Sequence, residues 1–180
     1  MIAGEKMLSV HIDFKQLIIK DIKKRDLPYM IKWYNDKKEY QYATGLNTPI
    51  FLQQLTQRYM ALIHTESAFY VGIYLKGTGE MIGLFKGSVR KEKVVALWID
   101  SIIIDKQYRR QGYATLSLQA MITHFKEYAY ISKVYISVVE HNLAGIKFWH
   151  ANDFEVAQKM SKQLMLDQKK YDILVMCKVL

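Results

Sequence analysis

Cysteine and proline are scarce in this chain of 180 residues, and their scarcity excludes several classes of protein. The single cysteine, Cys177, rules out an internal disulfide and fits a reducing cytoplasm. Because Cys177 lies in an apolar segment, packing in the core is its ordinary role. Pro28 and Pro49 are the only prolines, so no proline-rich linker divides the chain. We expect one domain over residues 1–180, in which residues 1–15 form an N-terminal extension or an edge strand.

Long hydrophobic runs and leader-like segments are also missing. No apolar run reaches the roughly 20 residues that a membrane-spanning helix needs. The first residues lack the apolar core of a secretory signal peptide. Hydrophobic residues nevertheless make up 51% of the chain, which is enough to build a packed interior. We therefore expect a folded cytoplasmic protein without membrane contact.

Negative charge is sparse relative to positive charge. Lys and Arg number 26 against 17 Asp and Glu, which gives a net charge of +9. Such a balance favours anionic partners, whether nucleic acid, a membrane surface or a polyphosphate ligand. The basic residues are spread thinly, with no long basic helix and no zinc-ligand spacing. We expect no metal and no nucleic-acid partner, and a basic solvated surface is the simplest interpretation of each basic run.

Hydrophobic periodicity divides the rest of the chain into strands and helices. The predicted strands are Gln16–Lys20, Ala68–Leu75, Met81–Val89, Val94–Ile104, Lys133–Val138, Phe154–Met160 and Tyr171–Val179, with Leu8–Ile12 as an extra edge strand. The predicted helices are one capped by Asp26 with Pro28 in its first turn, then Ile50–His64, Gly112–Tyr128 and Asn142–Ala151. Tyr40–Ala43, with Gly45, Asn47 and Pro49, is predicted to be a loop. A polar loop is predicted between the last two strands.

This order of elements predicts an α+β fold. An antiparallel meander comes first, and a strand–helix–strand crossover follows it. The combination implies a mixed, mostly antiparallel sheet with helices on both faces. We expect six to seven strands flanked by about four helices.

A doubly basic turn between a long apolar strand and a helix is the main chemical signal. In Tyr108–Ala114, Gly112 allows close approach of the backbone to a ligand, and Arg109 and Arg110 add positive charge. The N–H groups of such a turn and of the helix that follows point to one small volume, where the helix dipole favours an anion. The turn therefore predicts a phosphate site.

At this point the chain resembles the GNAT superfamily of acyl-CoA N-acyltransferases, from Gln16 onward. The pyrophosphate motif of that family is Gln or Arg, two residues, Gly, one residue, then Gly or Ala, and Arg109, Gly112 and Ala114 are similar to it. Its second signature resembles Asn142–Trp149 followed by Phe154. The opening, from Ile18–Asp21 to Trp33–Asp36, is similar to the branch of aminoglycoside 6′-N-acetyltransferases and ribosomal-protein acetyltransferases.

The resemblance implies an acetyl-CoA-dependent N-acetyltransferase of a primary amine. The pantetheine arm would run beside the strand before the turn and bond to its backbone as an added strand does. Asn142 could serve equally as the cap of its helix. The implied acetyl-CoA site consists of Ile102, Ile103, Ile104, Arg109, Arg110, Gln111, Gly112, Tyr113, Ala114, Thr115, Asn142, Lys147 and Trp149.

Asp100 is the candidate catalytic base. An alkyl ammonium with a pKa of about 10 must lose a proton before its nitrogen can attack a thioester. Asp100 interrupts the apolar strand before the turn, at the offset where the related aminoglycoside enzymes carry their proposed base. A carboxylate in an apolar strand is costly unless it has partners or a function. Orientation of the substrate, or plain surface exposure, are the alternatives for Asp100.

The chain departs from the family pattern at two positions. Many members carry a Tyr in the second signature that protonates the departing thiolate, and Trp149 stands there in this chain. Asp153 replaces the usual Gly before Phe154. The proton for the thiolate could come from water or from another Tyr, or the thiolate could leave unassisted, since a thiol has a pKa of about 8.5.

The acceptor site is expected to include Trp33, Asp36 and Tyr42, because aromatic and acidic side chains suit a cationic amine. Ordinary packing is the alternative for Trp33. An aminoglycoside-like amine, with its implication of antibiotic resistance, is the first expectation. A protein N-terminus or a small polyamine follows, and the overall positive charge argues against a polycation. A non-catalytic CoA-binding module and a nucleic-acid-binding domain are the alternatives to an enzyme. The chain is expected to be a monomer or a homodimer.

Overall fold

The computed structural model describes residues 7–46, 48–166 and 169–180. In this part of the chain, eight strands form one sheet and five α-helices flank it. The elements are β1 His11–Phe14, β2 Leu17–Asp21, α1 Leu27–Asn35, α2 Lys37–Thr44, α3 Leu52–Ile63, β3 Ala68–Leu75, β4 Met81–Lys91, β5 Val95–Ile104, α4 Tyr113–Ala129, β6 Lys133–Val139, α5 Leu143–His150, β7 Glu155–Leu166 and β8 Lys169–Val179. None of the described helices is long and apolar enough to cross a membrane.

The sheet has the strand order β1-β2-β3-β4-β5-β6-β8-β7. Neighbouring strands run antiparallel except for β5 and β6, which are parallel and are joined through α4. The expected mixed, mostly antiparallel sheet is thus confirmed, with eight strands instead of six to seven and five α-helices instead of about four.

Two apolar layers cover the two faces of the sheet. On one face, α4 packs Leu118, Met121 and Phe125 against the strands, and the rings of Phe69 and Phe125 lie 5.0 Å apart. On the other face, α1, α2 and α3 enclose a second cluster around Trp33 and Leu84. The three N-terminal helices cover only the half of the sheet that includes β3, β4 and the end of β5. Among the described elements, no helix covers the other half of this face.

The prediction of a loop at Tyr40–Ala43 is wrong, because these residues belong to α2. The Asp36 side chain caps this helix by accepting a hydrogen bond from Glu39 N, and Gly45 ends it in a left-handed conformation at φ 65°. Burial of the Tyr40 ring then anchors the helix to the core. Asn47, in the same predicted loop, lies outside the described residues.

The other differences concern element ends. The edge strand β1 begins at His11, three residues later than predicted, and residues 1–6 lie outside the described part. Asp26 precedes α1 as predicted, but its carboxylate accepts from Lys23 N and leaves the helix uncapped. The polar segment predicted to be a loop before β8 is mostly strand, since β7 continues to Leu166 and only residues 167 and 168 lie outside the description.

Candidate active site where β5 and β6 diverge

The parallel strands β5 and β6 separate partway along their length. They pair from Ala96 with Lys133 to Ile99 with Ile136, and beyond that point both strands continue without pairing to each other. A cleft of about 230 Å³ opens between them, and Phe148 and Trp149 of α5 close one side of it. The edge of β5 that faces the cleft is therefore free to bond to an extended ligand.

A β-bulge in β5 lies at the mouth of the cleft. Ile99 pairs with Gly87 and Ser101 pairs with Lys86, so Asp100 is the extra residue. Ile99 and Ile102 pack in the same core cluster although they are three residues apart, which an unbroken strand does not allow. Gly87 accommodates the bulge, because a Cβ there would collide with the Trp98 carbonyl oxygen and the Phe69 ring.

Asp100 borders two cavities. Asp100 lines the cleft on one side and, on the part of the sheet face that α1 to α3 leave uncovered, a groove of about 1040 Å³. The side chain is exposed, but the walls of both cavities displace enough water to raise the pKa of the Asp100 carboxyl above its ordinary value. The charges of Lys86 and Arg90 oppose this rise without cancelling it. Among the described residues, no group of His, Cys, Asp and Glu could hold a metal ion.

The turn after β5 has the conformation of an anion site. Arg110 at φ 63° and Gly112 at φ 80° are both left-handed, so successive N–H groups curve around one volume. The 17-residue helix α4 begins immediately afterwards, and the first N–H groups of a helix have no intrahelical acceptor. Nothing lies within 4 Å of a Cβ built on Gly112, so the approach to the turn is open. These residues fit the diphosphate of acetyl-CoA.

Arg109 lines the cleft, and its side chain bonds to α2. Its guanidinium donates to Glu39 Oε2 at 2.9 Å and to the Ile104 carbonyl at 3.2 Å, and it stacks 4.7 Å from the centre of the Tyr40 ring. The Tyr40 hydroxyl in turn accepts from Lys106 N at 2.9 Å. Arg109 therefore fastens α2 to the turn.

The remaining residues predicted to bind acetyl-CoA are distributed unevenly. Ile102, Ile104 and Ala114 line the cleft, as do Asn142 and Trp149. The other predicted residues do not line it: Ile103 is buried under α1 to α3, Arg110, Gln111 and Lys147 are exposed, and Tyr113 and Thr115 are half-buried in the first turn of α4.

The second signature builds the wall of the cleft. Asn142 caps α5, since its Oδ1 accepts from Gly145 N at 3.0 Å. Trp149 is only 7% exposed and packs edge-on against Phe148 and Phe154, at 4.9 and 5.0 Å. The indole thus shapes the cleft, and its N–H is too weak an acid to protonate a thiolate.

Of the three residues predicted to bind the acceptor, Tyr42 lines the cleft. Asp36 caps α2, and its carboxylate lies 3.8 Å from Lys106 Nζ. Trp33 is 1% exposed and its Nε1 donates to Asp105 Oδ2 at 3.0 Å, so its surface belongs to the core. The structure therefore brings Tyr42 and Asp100 together at the cleft and places Trp33 away from it.

Sequence reasoning missed Asp105, which fixes the end of β5. Asp105 is 6% exposed, and its carboxylate also accepts from Lys32 Nζ at 2.5 Å. Desolvation pushes the pKa of Asp105 upward, but the hydrogen bonds from Lys32 and Trp33 outweigh it and hold this pKa below its ordinary value. An acid directly after an apolar strand, at the cap of a short helix, was the available signal.

Asp105→Asn is expected to lower the free energy of unfolding at pH 7 by about 1–3 kcal/mol, because it removes the charge to which the buried Trp33 N–H and the Lys32 ammonium group bond. A carboxyl group whose pKa is lowered by folding stabilises the folded state at pH values above its unfolded pKa. This stabilisation is lost as the pH falls through the folded pKa. In urea unfolding, the difference in unfolding free energy between wild type and the variant should therefore become smaller below pH 4. Asp13→Asn, at a carboxylate 67% exposed, is the matched control. Equal stability of both variants would contradict this role.

A mixed sheet whose one parallel pair diverges above an anion-binding turn defines the acyl-CoA N-acyltransferase fold. The sequence profile of the Acetyltransferase (GNAT) family matches residues 27–154, and the chain belongs to this family. GNAT acetyltransferases use acetyl-CoA as the acyl donor. The resemblance inferred from the two sequence motifs is confirmed.

Known relatives act on different amines. The chain is 31% identical over 88 residues to the probable spermine N(1)-acetyltransferase of Bacillus subtilis subsp. natto, a stretch that is 47% of this chain and 58% of that protein. The spermidine N-acetyltransferase of Vibrio cholerae, solved with CoA and spermine, superposes with a TM-score of 0.79 at 16% identity, covering 91% of this chain and 95% of the other.

A second structural relative is the Salmonella typhimurium acetyltransferase that modifies the N-terminal serine of a 50S ribosomal subunit protein. It superposes with a TM-score of 0.79 at 18% identity, over 92% of this chain and 96% of the other. At such low identity these structures establish the fold and leave the acceptor open.

Proposed function

We propose that this protein transfers the acetyl group of acetyl-CoA to a primary amine by direct attack. The observation that carries the proposal is the position of Asp100, which borders both the cleft and the groove behind it. A carboxylate at this junction can take a proton from an amine that enters from the groove and faces a thioester in the cleft.

The residues of the chain suit the donor in three places. The turn at Arg110–Gly112 and the start of α4 offer N–H groups to the diphosphate. The free edge of β5 at Ile102–Ile104 can bond to the pantetheine amides as a neighbouring strand does. The walls at Phe148 and Trp149 exclude water from the thioester. Bound acetyl-CoA supplies an activated acyl group at this point.

In the transfer step, Asp100 accepts the proton that the ammonium group must lose, directly or through one water. The amine nitrogen then forms a bond to the carbonyl carbon of the thioester, the carbon–sulfur bond breaks, and CoA leaves as the thiolate. Desolvation raises the pKa of Asp100, so this carboxylate is a stronger base than one in open solvent.

The departing thiolate has two routes to its proton. With a pKa of about 8.5 for a thiol, it can leave unassisted and take a proton from water. Tyr42 is the one tyrosine among the described residues that line the cleft, and its hydroxyl is the protein donor best placed to replace the family tyrosine at the position of Trp149.

The acceptor is a primary amine, either that of a small molecule or the amino terminus of a protein. Tyr42 and the carboxylate of Asp100 provide ring and charge contacts for its ammonium group. The free thiol of Cys177 suits the cytoplasm as the working compartment.

Incubation with acetyl-CoA and a panel of amines tests the function, with release of the CoA thiol as the readout. We expect release that depends on both the amine and the enzyme, and calorimetry should show CoA binding. Tight CoA binding without release for any amine would instead identify a non-catalytic CoA-binding module. An affinity for RNA or DNA that falls steeply with salt concentration and does not change when CoA is added would favour a nucleic-acid-binding domain.

A further inference from the structure

The groove behind Asp100 lies on the sheet face that carries α1 to α3, in the half of that face which no described helix covers. It has a volume of about 1040 Å³ and crosses β4, β5, β6 and the β7–β8 pair. The turn around Glu92 and Lys93 borders one end, and Gln158 and Met160 of β7 border one side. Asp100 lines both the cleft and this groove, so an acceptor whose amine reaches Asp100 can lay its body along the groove.

The floor of the groove is aromatic. The rings of Trp98 and Tyr135, on neighbouring strands, stack with their centres 4.8 Å apart and their planes 17° apart. The Arg90 guanidinium lies 4.3 Å from the centre of the Trp98 ring. The Tyr135 ring and the Arg90 guanidinium come from opposite neighbouring strands and occupy the two faces of the Trp98 ring, so the stack presents ring edges and a cation to the groove. Ring edges carry the positive end of the aromatic quadrupole, which suits groups with negative charge.

The charged side chains of the groove are mainly basic. Arg90, Lys93 and Lys133 line it, against Glu92 and Asp100. In the described part of the chain, the ion pairs involve other cations, so no carboxylate lies within 4 Å of these three basic groups. If Asp100 receives the reacting ammonium group, Glu92 is the acid left to face a second one. A polyamine would therefore meet like charge along the groove.

Building on the proposed acetyl transfer, we propose that the acceptor is a primary amine attached to an anionic body. Its ammonium group approaches Asp100, its carboxylate or phosphate groups bind Lys93 and Lys133, and any apolar part of it packs against the edges of the Trp98 and Tyr135 rings. Each charge-assisted contact discriminates against a neutral or cationic body of the same size. The groove thus selects against polyamines and for acidic amines.

Two matched series of amines test this selectivity by release of the CoA thiol. The small-molecule arm compares 4-(aminomethyl)benzoate with benzylamine and spermine. The peptide arm compares the tripeptide amides Ala-Asp-Asp, Ala-Asn-Asn and Ala-Arg-Arg, which share one amino terminus and carry acidic, neutral and basic side chains. We expect kcat/KM for the acidic member of at least one arm to exceed its neutral partner by about tenfold, which corresponds to about 1.4 kcal/mol. The arm that responds identifies the source of the acidic amine.

Charge reversal in the groove provides the second measurement. The double variant Lys93→Glu with Lys133→Glu is expected to abolish the preference for the acidic amine. An unchanged Kd for CoA reports correct folding, because the turn at Arg110–Gly112 does not line the groove. Lys91→Glu is the matched control, because Lys91 is exposed and faces a different cavity with Glu66 and Tyr128. Its preference should equal that of wild type.

A wild-type preference for spermine or for the neutral amines would overturn the inference and leave the proposed acetyl transfer standing. Retention of the acidic preference in the double variant would overturn it as well. Absence of thiol release with every amine would instead overturn the proposed acetyl transfer, and the inference with it.

Discussion

Asp100→Asn is expected to lower kcat for acetyl transfer by about 10²–10⁴-fold, the range that a positioned base contributes. The amide retains the size and polarity of the side chain at the bulge but cannot accept the proton of an ammonium group. The KM for acetyl-CoA should change little, because the diphosphate turn is a separate segment. Steady-state release of the CoA thiol measures both constants.

The pH profile separates a base from an orienting residue. Catalysis requires the ionised form of Asp100, so kcat/KM of wild type should fall as pH falls through its pKa. Because desolvation raises this pKa, the fall should begin at a higher pH than for an exposed aspartate. In Asp100→Asn this acidic limb should disappear.

Stability provides the control for the same variant. A raised carboxyl pKa means that ionised Asp100 disfavours the folded state, so stability is lost as pH rises through the folded pKa. Asp100→Asn should therefore keep or increase Tm at pH 7. Glu127→Gln, at an exposed site on α4, should leave kcat and Tm unchanged. Wild-type kinetics in Asp100→Asn would remove Asp100 as the base.

Gly112→Ala is expected to weaken acetyl-CoA binding by about tenfold. The left-handed conformation at φ 80° costs a residue with a side chain roughly 1–2 kcal/mol. Relief of this strain would rotate the N–H groups at the start of α4 away from the diphosphate. The added Cβ meets no protein atom, so it would project into the open space through which the ligand approaches. Calorimetric titration with CoA measures the loss.

Gly79→Ala is a closely matched control for Gly112→Ala. Gly79 has φ 69°, also has nothing within 4 Å of its Cβ position, and lies in the turn between β3 and β4. Its replacement should lower Tm to a similar extent without changing the Kd for CoA. If both variants bound CoA as wild type does, the turn would not be the diphosphate site.

The donor side of the site could be predicted from sequence because its signals are local. Strand, basic turn and helix follow one another within Val95–Ala129, and the structure confirms their order. The helix α2 was missed because Gly45 and Pro49 suggest a loop. Asp36 followed by Glu39 is the pattern of a capping box, and it was the better guide.

The acceptor side could not be predicted, because it depends on contacts between distant segments. The bulge at Asp100 exists only through pairing with Lys86 and Gly87. Trp98 and Tyr135 form one surface because β5 and β6 share a register over a few residues. The uncovered half of the sheet face depends on where α1 to α3 lie. The hydrophobic periodicity of the sequence does not indicate their position on the sheet. Trp33 was assigned to the acceptor because nothing local indicated its bond to Asp105.

The bulge amounts to a single inserted residue in the chain. Without residue 100, Leu97, Ile99, Ile102 and Ile104 would follow one another at alternate positions, as would Trp98, Ser101 and Ile103. The ladder between β4 and β5 would then run unbroken from Lys91 to Gly83. The strand would be regular and reactive chemistry would have no place in it. A single inserted residue thus distinguishes a regular structural strand from one that places a carboxylate between two cavities.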